Sequence, residues 1–165
     1  MAILAKDVMV SPVITVKADT PLKKAAEILD ENSFSGVPVV DDDDKLIGIL
    51  SETDILRYTQ QIIGQPLRDP HRVFTKGKEV LQIDITHRGV EVIELVAATT
   101  VDNLMTTEVI SASEQEKVYD VVKKMRENDI NRVPIVDDNE KLVGIITRGD
   151  LVNALFSNWE NINKE

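Results

Sequence analysis

The sequence predicts an α/β (α+β) fold made of two tandem β-α-β-β-α repeats, and three observations carry that prediction. Residues 8–56 lie over residues 104–152 without a gap, and about 15 of the 49 positions are identical. Leu22, Ala25, Ala26 and Leu29 fall over Val118, Val121, Val122 and Met125, in each case at i, i+3, i+4 and i+7, one face of a helix. Each copy then carries two β-rich runs around a polar turn, VPVVDDDDKLIGIL over VPIVDDNEKLVGII. One such unit cannot cover both faces of its own small sheet, so the two copies are expected to pack together with pseudo-two-fold symmetry.

Taken in order, each repeat opens on a short strand, Val13–Val16 or Val109–Ala112. The helix that follows is expected to use Asp19 or Thr20 as its cap with Pro21 in the first turn. In the second repeat Ser113 and Glu116 read as a capping box. Strands follow at Val37–Val40 and Leu46–Leu50, and again at Val133–Val136 and Leu142–Ile146, with Pro38 and Pro134 near the strand starts, where a missing N–H is tolerated. A second helix begins after Ser51 and after Thr147. The predicted organisation is residues 1–60 for the first repeat, 61–103 for an insert, and 104–165 for the second repeat with a C-terminal helix. The apolar stripe Leu151, Ala154, Leu155, Trp159 and Ile162 extends that helix past the repeat.

Composition narrows the function. With 165 residues the chain can bury enough surface to fold without staples. A formal charge of −10 and a pI near 4.7 disfavour a phosphate-backbone partner, so nucleic-acid binding is not expected. There is no cysteine, and the two histidines, His71 and His87, give little for metal or acid–base chemistry. No Gly-rich P-loop, nucleophile elbow or zinc-protease motif occurs, and an enzyme is not expected. No apolar run has signal-peptide or membrane-spanning length, and a cytoplasmic, membrane-free protein is the expectation. The acidic runs 41–44 and 137–140 sit between equivalent strands and read as solvated turns rather than metal sites.

The signature V-P-h-V-D…G-h-h-[ST]-x-x-D, present in both copies, resembles that of the CBS motif (named for cystathionine β-synthase). The resemblance covers about 98 of the 165 residues and implies a CBS-pair module. It further implies a regulatory sensor that binds adenosine-containing ligands (AMP, ADP, ATP or S-adenosylmethionine) in clefts between the repeats. Such a module commonly forms a homodimer and modulates another protein, here of unknown identity. A ligand-free dimerisation scaffold is the alternative.

The spacing in Ser51-Glu52-Thr53-Asp54 and Thr147-Arg148-Gly149-Asp150 also suits a capping box, although Asp reaches back less far than Glu. The resemblance assigns Asp54 and Asp150 to a ribose diol and Ser51 and Thr147 to the phosphate side. Before the V-P step the second repeat carries Asn131-Arg132 where the first has Ser35-Gly36, and Arg148 replaces Glu52. The Asp150 site is therefore expected to favour phosphorylated ligands. An adenine ring needs an apolar slot with backbone hydrogen bonds, for which Val37, Pro38, Val133 and Pro134 are candidates, with Thr15 and Ser111 on the first strands.

Between Arg57 and Arg88 six basic and three acidic residues give a local charge of +3 inside an acidic chain. The runs Val80–Ile85 and Val90–Leu95 read as a hairpin or, alternatively, as part of an amphipathic helix over 79–98. The resemblance does not account for this insert.

Overall fold

A computed structural model of the chain describes residues 2–63, 96 and 98–162. The first repeat builds α1 (Leu22–Glu31), β1 (Gly36–Val40), β2 (Leu46–Ser51) and α2 (Glu52–Ile63). The second builds β3 (Ala112–Ser113), α3 (Val118–Glu127), β4 (Arg132–Val136), β5 (Leu142–Thr147) and α4 (Arg148–Ile162). β1 pairs with β2, and the second sheet runs β3-β4-β5, parallel at its first step and antiparallel at its second.

The predicted opening strands are shorter than expected. Val16 alone bridges in parallel to Val39, donating to Pro38 O (3.1 Å) and accepting from Val40 N (3.0 Å). The next rung of that ladder would run from the amide of residue 38 to the carbonyl of Ile14, and proline has no amide to give. Pro134 imposes the same limit on the second copy, where the strand covers Ala112–Ser113 rather than Val109–Ala112.

Two compact units result, and each combines pieces from both repeats. One, here the Asp54 unit, comprises Thr15–Asp41 and Ile47–Thr107. The other, the Asp150 unit, comprises Met1–Ile14, Asp42–Leu46 and Glu108–Glu165. The segment leading into each repeat therefore belongs to the unit of the other. In the Asp54 unit Leu22 N donates to Thr99 O (2.7 Å), Val101 N to Thr20 O (3.0 Å), and Thr106 and Ile49 exchange backbone bonds (2.9 and 3.0 Å). In the Asp150 unit the corresponding bonds are Val118 N to Ile3 O (3.0 Å), Ala5 N to Glu116 O (2.8 Å), and the Val10–Ile145 pair (2.9 and 3.1 Å).

These contacts replace the predicted caps. Pro21 and Lys117 are the N-caps of α1 and α3, and neither helix has a side-chain cap. The first amide of each is instead satisfied by a carbonyl of the incoming segment, Thr99 or Ile3, and not by Asp19, Thr20 or Ser113. Thr20 Oγ1 accepts from Lys17 N instead (3.0 Å), and Glu116 pairs with Lys124 (2.8 Å).

Each unit has its own core. In the Asp54 unit Leu22, Ala25 and Leu29 of α1 pack on Val37, Val39 and Leu50 of the sheet and on Val101 of the incoming segment. In the Asp150 unit Val121 and Met125 of α3 meet Val133, Ile135 and Ile146, with Ala5 from the incoming segment. The apolar stripe of α4 is described only in part: Leu151 packs on this core and Ala154 is half-buried. The side chains of Leu155, Trp159 and Ile162, and the predicted hairpin or helix over 79–98 apart from Val96 and Ala98, lie outside the described residues. Among the described residues no helix is long and apolar enough to cross a membrane, and no group of three His, Asp or Glu side chains could hold a metal ion.

The turn 137–140 is built by its own first residue. Asp137 Oδ1 accepts from Asn139 N (2.8 Å) and Lys141 N (2.9 Å), and Glu140 takes a left-handed φ of 64°. The Lys141 amide, ahead of that of Asn139, holds the Asp137 carboxyl below its ordinary value. A carboxylate with a lowered folded pKa contributes stability above its unfolded pKa and loses it as pH falls through the folded value. An NMR titration is expected to place the Asp137 midpoint below 3.8, and an Asp137→Ala variant should bring that midpoint's acid-side contribution to unfolding to zero.

The incoming segments lie so close to the second strands that only glycine fits beneath them. A Cβ on Gly144 would stand 2.3 Å from Met9 Sδ and 3.1 Å from Met9 Cβ; one on Gly48 would meet Met105 Sδ at 2.6 Å and Thr106 O at 3.2 Å. Gly149, at the start of α4, has nothing closer than Thr147 Oγ1 at 3.6 Å. Thermal unfolding of Gly144→Ala should show a loss of about 1–3 kcal/mol from overpacking, whereas Gly149→Ala should be neutral or gain about 0.5–1 kcal/mol from helix propensity.

Candidate functional site

At the end of β5 the chain passes from strand to helix within one residue, and Thr147 and Asp150 close that junction on each other. Thr147 donates to Asp150 Oδ2 from its backbone N–H (2.7 Å) and its hydroxyl (2.6 Å), and Asp150 N returns a longer bond to Thr147 Oγ1 (3.3 Å). Ser51 and Asp54 repeat this arrangement at 2.9, 2.6 and 3.3 Å. The capping geometry that the spacing allows is thus realised twice. It occupies Oδ2 of each carboxylate and commits the hydroxyl hydrogens of Ser51 and Thr147. No described residue bonds to Oδ1 of Asp150, which retains its lone pairs for an incoming donor.

The residue preceding each V-P strand pins the helix entry. Asn131 O accepts from Arg148 N (3.1 Å), and Ser35 O accepts from Glu52 N (3.1 Å). Two of the junction amides, those of Thr147 and Arg148, are therefore already bonded within the protein. Arg132 and Thr147 are directly opposed in the antiparallel register, so their side chains stand on the same face of the sheet. Val133 and Ile146, the next opposed pair, face the core. Alternation along the strands puts Arg132 and Thr147 on the side away from that core, and Thr147 holds Asp150 by its hydrogen bonds. Arg132 is half-buried; its Nη1 is shielded from solvent and makes no hydrogen bond, although the residue is engaged elsewhere.

Arg148 is placed differently. It stays exposed and lies 3.7 Å from Asp129 Oδ1. Asp129 follows α3 in a left-handed conformation (φ 50°), which turns the chain towards β4. Around Asp54 the charges are rearranged. Gly36 stands where the second repeat has Arg132, Glu52 where it has Arg148, and Arg57 lies 3.8 Å from Asp54 Oδ1. The position corresponding to Arg57 in the second repeat is Asn153. Asp129 and Arg57 were not among the residues singled out from sequence. The i,i+3 spacing of Asp54 and Arg57 was a readable signal, whereas the approach of Asp129 to Arg148 depends on the turn after α3.

The remaining candidates fall into two groups. Val37, Pro38, Val133 and Pro134 are fully buried and serve the sheet and core, with Pro38 O taken by Val16 N. Thr15 and Ser111 are half-buried and immediately precede the residues that bridge to the same repeat's own sheet. Ser111 O accepts from Lys124 Nζ (2.9 Å). Each first strand therefore pairs with the sheet of its own repeat.

Comparison with known proteins agrees with this geometry. The CBS domain profile matches residues 5–60 and 101–157, so each match begins in the incoming segment. The chain is 33% identical over 158 residues to the uncharacterized protein MJ1426 of Methanocaldococcus jannaschii, covering 93% of this chain and 91% of that one. Several other relatives are longer, and the chain spans between 20% and 57% of their length. Among solved structures, the CBS domain pair of protein MJ0100, in complex with 5′-methylthioadenosine and S-adenosyl-L-methionine, superposes with a TM-score of 0.68 at 27% identity, covering 96% of this chain and 99% of that one. CBSX2 of Arabidopsis thaliana in complex with AMP superposes with a TM-score of 0.69 at 25% identity, covering 94% and 97%. With the same signature in both repeats and the profile matching each, the chain belongs to the CBS domain family.

Proposed function

We propose that the protein is a regulatory module whose two strand-to-helix junctions hold adenosine-containing ligands, and that ligand binding alters the behaviour of another protein. The observation that carries this reading is the Asp150 carboxylate. One of its oxygens is fixed by Thr147, and the other takes no bond from the described residues. A ribose diol offers two adjacent O–H donors, which matches an immobilised acceptor of this kind. Arg132 and Asn131 at the start of β4 supply the phosphate side, with Thr147 and Arg148 at the helix entry. Ser51 and Asp54 form the corresponding site in the other unit, and Thr15 and Ser111 each serve the junction of their own unit. Val37, Pro38, Val133 and Pro134 act from beneath as the rigid apolar floor on which an adenine would rest. The ligands bound by MJ0100 and CBSX2, all adenosine derivatives, support the ligand class.

In this reading the protein works as a homodimer in the cytoplasm, its regulated partner is a protein, and no catalysis is assigned to it. A ligand-free dimerisation scaffold is the second reading, and the capping bonds favour it, because they give Asp54 and Asp150 a purely structural reason to be present.

Thermal unfolding with AMP, ADP, ATP and S-adenosylmethionine separates the two. Ligand at about 100 times its dissociation constant adds about 2.7 kcal/mol, and each kcal/mol raises the midpoint by about 2–4 °C at this size. At least one of the four is expected to raise Tm by more than 5 °C. Asp150→Ala should lower the unliganded Tm by a few degrees, through the lost cap (about 1 kcal/mol), and should cancel the ligand-induced rise at that junction. If none of the four compounds moves the wild-type midpoint, the scaffold reading stands.

A further inference from the structure

The two junctions share one backbone and one carboxylate geometry, yet the charges around them are not copies. We infer that the Asp150 unit takes adenosine carrying a 5′-phosphate, whereas the Asp54 unit takes adenosine whose 5′ substituent is uncharged or cationic, a thioether or sulfonium. This rests on the adenosine reading above and divides that ligand class between the two units.

Arg132 carries the argument. It stands opposite Thr147 in the β4–β5 register, on the face shared with the junction. A guanidinium at that point meets a phosphate with charge-assisted bonds of fixed geometry. Arg148, held 3.7 Å from Asp129, adds its charge from farther out. Nothing comparable exists at the other junction, where Gly36 offers no side chain. The first helical residue there is Glu52, whose carboxylate repels a 5′-phosphate and attracts a sulfonium. Among the described residues the cation this junction has gained is Arg57, on the opposite side of the sequence motif, one turn into α2 and 3.8 Å from Asp54 Oδ1. It accompanies the diol-binding carboxylate rather than the strand end. The cations thus stand at different positions in the two repeats, and an anion replaces Arg148, while the hydrogen bonds that build the junctions agree to within 0.2 Å.

Calorimetric titration of the full chain with AMP and with 5′-methylthioadenosine tests the division. Each compound is expected to bind once per chain, and saturation with one should leave the affinity for the other unchanged. Arg132→Gly places in the Asp150 unit the residue that the Asp54 unit already carries, so the strand tolerates it. It should weaken AMP by about 10- to 100-fold, the worth of a charge-assisted contact, and leave 5′-methylthioadenosine unaffected. Asp54→Asn should do the reverse. The division is overturned if the two compounds displace one another, if Arg132→Gly weakens both equally, or if Asp54→Asn removes AMP. The division is likewise overturned if only one of the two compounds binds; failure of both to bind overturns the adenosine reading itself, and so the two failures are told apart.

Discussion

A helix leaves its first amides without partners, and the whole architecture is arranged around how those amides are satisfied. Each repeat meets the requirement twice and in two different ways. Its first helix takes a carbonyl from a segment distant in the chain: Leu22 from Thr99, and Val118 from Ile3. Its second helix takes a hydroxyl from its own cap, Asp54 N from Ser51 Oγ and Asp150 N from Thr147 Oγ1, while each carboxylate bonds back to that cap. The distant solution ties each compact unit to a piece of the other repeat. The local solution immobilises an acid side chain at the strand end, where a ligand would be met.

The two solutions are coupled through glycine. After meeting the first helix, the incoming segment passes the second strand at Gly48 or Gly144, where methionine side chains occupy the space a Cβ would need. The same strand ends a few residues later at the carboxylate junction. The apolar packing of Met9 and Met105 and the polar site therefore share one short stretch of backbone, and a close-packed interior transmits a displacement of one to the other.

The duplication also separates what is structural from what is variable. Residues that make backbone contacts or fill the core are matched between the copies: Met9 with Met105, Ala5 with Val101, Gly48 with Gly144, Asp54 with Asp150. The charged residues around the junctions are not matched: Arg132 faces Gly36, Arg148 faces Glu52, and Arg57 faces Asn153. Side chains outside the core cost little to exchange, so the scaffold can be held constant while its two sites take on different electrostatics.

Periodicity and repetition were enough to read the repeat, the helical faces, the second strands and the two acid positions, because each of these is set by residues close together in the chain. They did not reveal that the second repeat begins before residue 104, near Thr99, since the identity there is slight and the signal is a pattern of backbone bonds. The predicted caps Asp19, Thr20, Ser113 and Glu116 failed for the same reason, a distant carbonyl having reached the helix first. Local spacing likewise allowed both a cap and a ligand-binding carboxylate at Asp150, and the coordinates assign one oxygen to the cap. Sequence alone determined which residues recur; tertiary structure decided which amides they serve, because hydrogen-bond partners are settled by distance in space and not by distance along the chain.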